Sequence, residues 1–315
     1  MNAIVAIDTS IYAQRAAEFF SFRYAFALEA LGASILVGAI CALVGTFLVL
    51  RGMSLIGDAT GHATLPGVCV AFLLVGAKSM GALLAGALVS ALAAALLIGV
   101  ISRGPRTRPD AAIGIVLSVF FGFGIVLLSY IQNSPTGAQS GLGGFLFGNA
   151  AGISRDQLIA LLATSLGLGA LVGVFYRPLK LTVFDEGFAR SIGIPTSLVQ
   201  MALLSALAVC VVISIQAVGV VLVAAMLIIP PSAALFLSKR LGHVLLFAML
   251  VGAVSGALGA FLSYMAEGVA TGPAMVLVAA ALFLGALFFG PRGGVVPSWV
   301  RRASSARAIA ARRGG

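Results

Sequence analysis

Charged side chains are scarce in this sequence of 315 residues: Asp, Glu, Lys and Arg make up 9% of it, whereas 61% of the residues are hydrophobic. A water-soluble domain cannot hide so much apolar surface. Runs of about 18 or more apolar residues recur, and each is long enough to cross about 30 Å of hydrocarbon as a helix. The alternating polarity of a membrane β-strand is absent. The sequence therefore predicts an all-α protein that crosses a membrane several times.

Cysteines and nucleotide-binding motifs are also scarce. The three cysteines, Cys41, Cys69 and Cys210, lie in apolar segments and form no Cys-x-x-Cys pair, so we expect them to be packing residues. The chain contains no Gly-x-x-x-x-Gly-Lys-Ser/Thr loop, which is the motif that holds ATP phosphates in many ATPases. We therefore expect a protein that is not an enzyme and does not hold ATP in that way.

Nine apolar segments predict eight to nine membrane-spanning helices. They lie near residues 31–50, 55–75, 79–101, 111–131, 157–176, 198–214, 218–237, 244–264 and 273–290. Segment 10–30 mixes charged and aromatic residues, which is typical of an interfacial amphipathic helix. The sequence thus divides into an N-terminal region over residues 1–30, a transmembrane domain over 31–290 and a basic tail over 291–315.

The basic residues predict the orientation of the spans. Of the 19 Lys and Arg residues, 15 fall in one set of loops and the tail, whereas the opposite loops hold only Lys78 and Arg155. Loops rich in Lys and Arg stay in the cytoplasm, so the net charge of +10 indicates topology rather than a nucleic-acid site. We expect the tail to lie on anionic lipid of the cytoplasmic leaflet.

One predicted span carries ionisable side chains in the stretch RGMSLIGDATGHATLPG, residues 51–67. Of the nine acidic residues, only Asp58 falls well inside a predicted span. If Arg51 marks the cytoplasmic boundary, the helical rise places Asp58 roughly 10 Å and His62 roughly 16 Å deep, near the bilayer midplane. Ionisable groups are costly at that depth and suggest a functional site.

Asp58 and His62 are four residues apart, so their side chains share one face of a helix. A carboxylate and a neutral imidazole are suitable ligands for Zn²⁺, Mn²⁺ or Fe²⁺. Alternatively, Asp58 caps a helix that restarts after Gly57, and His62 is hydrogen-bonded to it. An incomplete ligand set suits a carrier that must release its ion. The neighbouring Gly61 and Pro66 predict an irregular or closely packed helix around the pair.

A second informative stretch, FDEGFARSIGIPTS at residues 184–197, lies between two spans on the basic side. Asp185 is a suitable N-cap, and Gly193 is a suitable C-terminal stop. The pattern predicts a short amphipathic helix on the cytoplasmic surface. This helix is either a simple connector or a segment that docks into a groove of a soluble partner, with Phe188 and Ile192 as anchors.

Three motifs in this order resemble those of the membrane permease of ATP-binding-cassette importers for zinc, manganese and iron. They are RGMSLIGDATGHATLPG, DEGFARSIGI and VGVVLVAAMLIIPPSAA at residues 218–234. The resemblance places Asp58 and His62 on the translocation path. It also aligns SYMAEGVATGP, residues 263–273, with a family segment in which an Asp is usual, so Glu267 becomes a third candidate metal ligand.

The resemblance further implies an assembly in the bacterial cytoplasmic membrane. It implies a homodimer, an ATP-binding cassette ATPase subunit on the cytoplasmic side and an extracytoplasmic metal-binding protein. ATP would act only through the ATPase, and no cofactor would be bound permanently besides the transported metal ion. The residues expected to couple to the ATPase are Asp185, Glu186, Phe188, Ala189, Arg190, Ile192 and Gly193.

Two other functions are compatible with parts of the pattern. In a secondary proton-coupled transporter, Asp58 and His62 would be a proton relay, but such a carrier needs no helix that docks to an ATPase. An importer permease for a metal chelate, such as a siderophore, would need a wide path without metal ligands from the protein. The buried pair argues against that cargo.

Overall fold

The computed structural model describes residues 25–75, 79–104, 107–133, 152–265, 269–292 and 294–296. Within these ranges the chain forms twelve helices and no strand. The helices are α1 (Ala25–Leu50), α2 (Ile56–His62), α3 (Thr64–Val75), α4 (Met80–Ile101), α5 (Pro109–Gln132), α6 (Arg155–Val174), α7 (Tyr176–Phe184), α8 (Glu186–Ser191), α9 (Thr196–Val218), α10 (Val220–Leu237), α11 (Leu241–Met265) and α12 (Thr271–Phe289). The predicted all-α fold is confirmed.

Among the described residues, eight helical stretches are long and apolar enough to cross a membrane, with α2 and α3 counted together as one. The remaining predicted span, 218–237, corresponds to α10, whose apolar part, Leu222–Leu237, is shorter. The protein is therefore a multi-pass membrane protein with the eight to nine spans that the sequence predicts. The segment predicted as an interfacial helix, 10–30, lies outside the described residues except for its last six, which belong to α1.

The connection between α9 and α10 differs from the prediction, which left residues 215–217 as a loop. In the structure α9 continues to Val218, and Gly219 alone separates it from α10. Gly219 is buried and has φ +86°, a backbone conformation that only glycine adopts without strain. Gly219 alone therefore makes the connection for which the sequence predicts a loop. Composition does not reveal that a single residue is sufficient here.

Helices α1 and α11 pack against each other through small residues. A Cβ atom on Gly38 would overlap the carbonyl oxygen of Gly252, and a Cβ on Gly252 would overlap that of Gly38. One turn further along, a Cβ on Gly256 would overlap the carbonyl oxygen of Ser34. In a lipid environment helices associate largely by such close backbone packing, because burial of apolar surface from water is no longer a driving force.

The central helices are α1, the α2–α3 stretch and α9, which are the most buried of the candidate spans, whereas α5, α6 and α12 are the most exposed. Where α1 packs on α9, the Sγ atoms of Cys41 and Cys210 lie 3.8 Å apart. Both thiols and Cys69 are free and buried. The short α2 thus lies against the interior of the bundle rather than at its lipid-facing edge.

Gly252→Ala is expected to lower the thermal stability of the detergent-solubilised protein, because the new methyl group forces α1 and α11 apart at a cost of about 1–3 kcal/mol. The matched control is Gly167→Ala on α6, where a Cβ meets no atom within 4 Å and alanine favours the helix by about 1 kcal/mol. Thermal melts of the two variants should therefore shift in opposite directions. Equal shifts would contradict the assigned α1–α11 contact.

Candidate functional site

The predicted polar pair lies on α2. The Nε2 atom of His62 is 3.4 Å from the Oδ1 atom of Asp58, and the side chains are 22% and 38% exposed. The four-residue spacing thus brings the two groups together on one helix face, as the sequence predicts. The N-cap of α2 is Leu55, without a side-chain capping bond. The alternative in which Asp58 caps the helix is therefore wrong.

His62 lies near the middle of the neighbouring long helices. Its ring contacts the ring of Phe121 edge-on, with the centroids 4.9 Å apart, and Phe121 is the thirteenth of the 24 residues of α5. The carbonyl of the next residue, Ala63, accepts a hydrogen bond from Ser90, the eleventh of the 22 residues of α4. The pair is therefore placed deep between the helices, where ionisable groups are costly.

The helix is interrupted directly after the pair. Pro66 follows His62 by four residues and has no N–H to donate to the His62 carbonyl. The Thr64 hydroxyl donates to the Gly61 carbonyl at 2.6 Å, and the Ser90 hydroxyl on α4 donates to the Ala63 carbonyl at 2.6 Å. Both hydroxyls thus bond backbone carbonyls on either side of His62. The irregular helix that the sequence predicts is thus a break at Ala63.

The hydrogen bonding of His62 is incomplete. Its Nδ1 atom is buried and has no hydrogen-bond partner. The 3.4 Å between Nε2 and the Asp58 carboxylate exceeds the usual range for an N–H···O hydrogen bond, about 2.7–3.2 Å. A buried polar group without a partner costs about 1–3 kcal/mol. The pair is therefore not a settled structural hydrogen bond, and its facing atoms remain open for a ligand.

The same separation suits a metal ion between the two atoms. With ligand bonds of about 2.1 Å, two atoms at the tetrahedral angle are about 3.4 Å apart, which matches the observed 3.4 Å. The described residues contain no group of three or more His, Cys, Asp or Glu side chains that converge. The third candidate ligand, Glu267, lies outside the described residues. The described part of the chain therefore offers an ion two ligands.

The predicted cytoplasmic helix is α8. The Phe188 N–H donates to the Asp185 carboxylate at 2.8 Å, so Asp185 is the N-cap that the sequence predicts. The helix ends at Ser191, and Gly193 follows with φ +84°, again a conformation that favours glycine. Local signals thus located both ends of this helix.

The predicted coupling residues divide between two faces of α8. Phe188 and Ile192 are about half exposed, at 52% and 51%, whereas Ala189 is fully buried. Within the described part of the chain, the outer face therefore presents two half-exposed apolar side chains. Arg190 and Glu186, by contrast, form an ion pair with each other along the helix.

Sequence reasoning missed the partners of Glu186 outside α8. Its Oε2 atom lies 3.5 Å from the Nη2 atom of Arg51, the residue that begins the turn between α1 and α2. The Thr196 hydroxyl at the start of α9 lies 3.4 Å from its Oε1 atom. Burial lowers the pKa of Arg51, and the charge of Glu186 opposes that shift. No sequence pattern links residues 135 positions apart, so only the fold reveals this contact.

The fold defines a multi-pass membrane protein with a polar pair inside its helix bundle. The sequence model of the ABC 3 transport family matches residues 23–290. The chain belongs to this family, which confirms the resemblance that the three motifs indicated.

Relatives with assigned roles are similar over most of the chain. The manganese transport system membrane protein MntC of Bacillus subtilis is 45% identical over 272 residues, which are 86% of this chain and 62% of that protein. The zinc transport system membrane protein TroC of Treponema pallidum is 41% identical over 82% of this chain and 88% of its own length. The solved structure of PsaBC from Streptococcus pneumoniae in complex with Fab has a chain that is 34% identical, with a TM-score of 0.76 over 88% of this chain and 97% of that chain.

Ser90→Ala is expected to lower stability by about 1 kcal/mol, because it removes the hydrogen bond that ties α4 to the break after His62. The matched control is Ser255→Ala, since Ser255 is also buried but bonds only to the Val251 carbonyl of its own helix. Thermal melts of the purified variants should show the larger loss for Ser90→Ala. A larger loss for Ser255→Ala would argue against a role for Ser90 at the break.

Proposed function

We propose that this chain forms the membrane path of an ATP-driven importer for a divalent transition metal ion: zinc, manganese or iron. It works as a homodimer, with an ATPase subunit bound at α8 and an extracytoplasmic metal-binding protein on the opposite side. Asp58 and His62 contact the ion as it passes. Relatives that carry manganese or zinc support this class of cargo.

The observation that carries the proposal is the open pair on α2. Its facing nitrogen and oxygen atoms are 3.4 Å apart, and within the described part of the chain the pair has neither a full hydrogen-bond network nor a complete set of metal ligands. A permanent metal centre would hold its ion with about four ligands. Two ligands from the protein allow an ion to be dehydrated in part, held briefly and released, which transport requires.

Mixed nitrogen and oxygen ligands do not select one metal. Neutral imidazole suits zinc and iron, carboxylate also suits manganese, and cells achieve selectivity largely through metal availability. The cargo is therefore proposed as a class of divalent ions, and the extracytoplasmic protein would supply part of the choice among them.

The attachment of the ATPase is proposed at the outer face of α8. Phe188 and Ile192 project from a short capped helix that is held at both ends. Apolar anchors of this kind dock into grooves on soluble partners and contribute much of the binding energy. The chain lacks a phosphate-binding loop, so the energy of ATP would enter through this contact.

Asp58→Asn and His62→Ala are each expected to abolish metal uptake while the protein still inserts and binds its ATPase. Removing an ionisable group from the membrane interior does not by itself lower stability, because translocon scales assign Asp a cost of roughly 2.5–3.5 kcal/mol there. The measurement is uptake of radiolabelled Mn²⁺ or Zn²⁺ into vesicles that hold the full complex, with a thermal melt of the same preparation.

The matched controls are Asp110→Asn and His243→Ala, which change exposed residues of the same types at the cytoplasmic ends of α5 and α11. Both controls should transport like the wild type. Normal uptake in the Asp58 and His62 variants, or a loss of uptake that follows a loss of folded protein, would rule out metal contact by the pair.

Phe188→Asp is expected to weaken ATPase binding by at least about 2 kcal/mol, or roughly 30-fold, because the docking surface would have to desolvate a charge. Phe188→Leu keeps an apolar anchor at the same position and should bind within a few-fold of the wild type. Binding of the purified ATPase subunit to the immobilised membrane protein measures both. Unchanged affinity for Phe188→Asp would show that α8 is only a connector.

A further inference from the structure

Glu186 connects three elements at the cytoplasmic end of the bundle. One carboxylate oxygen faces the Arg51 guanidinium at 3.5 Å. The other accepts from Arg190 on α8 and lies 3.4 Å from the Thr196 hydroxyl at the start of α9. The Arg190 Nε atom also donates to that hydroxyl at 3.1 Å. Glu186, whose side chain is 38% exposed, therefore contacts the turn after α1 and the start of α9 as well as its own helix.

Arg51 is well placed to transmit a force, because its side chain is only 12% exposed and its turn is closed by backbone hydrogen bonds. The Arg51 N–H donates to the Phe47 carbonyl at 3.2 Å, and the Met53 N–H donates to the Leu48 carbonyl at 3.0 Å. Met53 is buried, which holds the turn against the bundle. The Ile56 N–H donates in turn to the Met53 carbonyl at 3.2 Å, so the turn that contains Arg51 is hydrogen-bonded to the end of α1 and to the start of α2.

The distance along the chain from this turn to the metal pair is short. Helix α2 begins at Ile56 and carries Asp58 in its first turn, and its last residue is His62. Ala63 alone separates α2 from α3, so α2 is a seven-residue segment whose two ends are the turn after Arg51 and the break after His62. The Arg51–Glu186 ion pair thus joins the start of α8 to the turn that precedes α2, the helix that bears Asp58 and His62.

We propose that the Arg51–Glu186 ion pair is the internal link by which movement of α8 is transmitted to the metal pair on α2. Glu186 is then a positioning residue inside the permease and not a contact to the ATPase. The inference rests on the proposed function, since it assumes that α8 binds the ATPase and that Asp58 and His62 hold the ion.

The experiment compares three variants with the wild type in the reconstituted complex: Arg51→Met, Glu186→Gln and the double variant Arg51→Met/Glu186→Gln. For each we measure Mn²⁺ ions transported per ATP hydrolysed, the affinity for the ATPase subunit and the melting temperature. The double variant is decisive, because it leaves neither charge buried without its partner and so avoids the main cause of misfolding in the single variants.

The link predicts a fall of about tenfold in ions transported per ATP in both single variants, with no further fall in the double variant. Residues that act through one shared contact are not additive. Affinity for the ATPase should stay within about twofold of the wild type throughout. Arg51→Lys keeps the charge and should retain most of the wild-type number of ions transported per ATP. Arg240→Met changes an exposed arginine of another cytoplasmic turn and should leave that number unchanged.

Several outcomes would overturn the link. A double variant that keeps its transport ratio, whatever its melting temperature, would show that the ion pair does not link α8 to the metal pair. Weaker ATPase binding for Glu186→Gln but not for Arg51→Met would make Glu186 a direct ATPase contact. An Arg51→Lys variant as defective as Arg51→Met would also exclude the ion pair. A wild-type complex that hydrolyses ATP without moving Mn²⁺ or Zn²⁺ would refute the proposed function itself, which separates the two failures.

Discussion

Backbone polar groups inside a membrane have no water to bind, and this constraint shapes the site. A helix can be interrupted there only where other groups take up the freed carbonyls. At the break after His62, the Thr64 hydroxyl donates to the Gly61 carbonyl and the Ser90 hydroxyl donates to the Ala63 carbonyl. Two neutral hydroxyl groups thus bond the backbone on either side of the residue that bears the imidazole.

Several helices of the bundle are held together by close contact of their backbones. Gly38 and Gly252 bring α1 against α11, and Gly67 and Gly86 bring α3 against α4, in each case with no room for a Cβ atom. Such contacts are stiff, because packed interiors deform little before they clash. Helix α2 itself packs closely on α10, since a Cβ atom on Gly57 would overlap the Leu227 side chain. The Arg51–Glu186 ion pair connects the turn that precedes α2 to the start of α8.

The predictions that succeeded used signals contained within a few residues. The spacing of Asp58 and His62 placed them on one face, and Asp185 and Gly193 marked the ends of α8. Long apolar runs located the spans to within a few residues, because crossing a membrane requires a minimum helix length. The loop predicted before Gly219 failed for the opposite reason: one glycine in an unusual conformation replaces several loop residues, and no local composition distinguishes that glycine from the many others in the chain.

By itself, the sequence determined the class of protein and the order of its helices, and it predicted the basic side and the residue pair proposed to face the ion, because hydrophobic length, charge and helical periodicity act locally. Only the tertiary structure decided which distant residues contact the break after His62 and the turn before α2. The bond from Ser90 to Ala63 spans 27 positions, and the Arg51–Glu186 contact joins residues that are separated by six helices of the chain. Such pairings depend on how the helices pack against one another, and packing in lipid is set by shape and small residues rather than by a pattern that can be read along the chain.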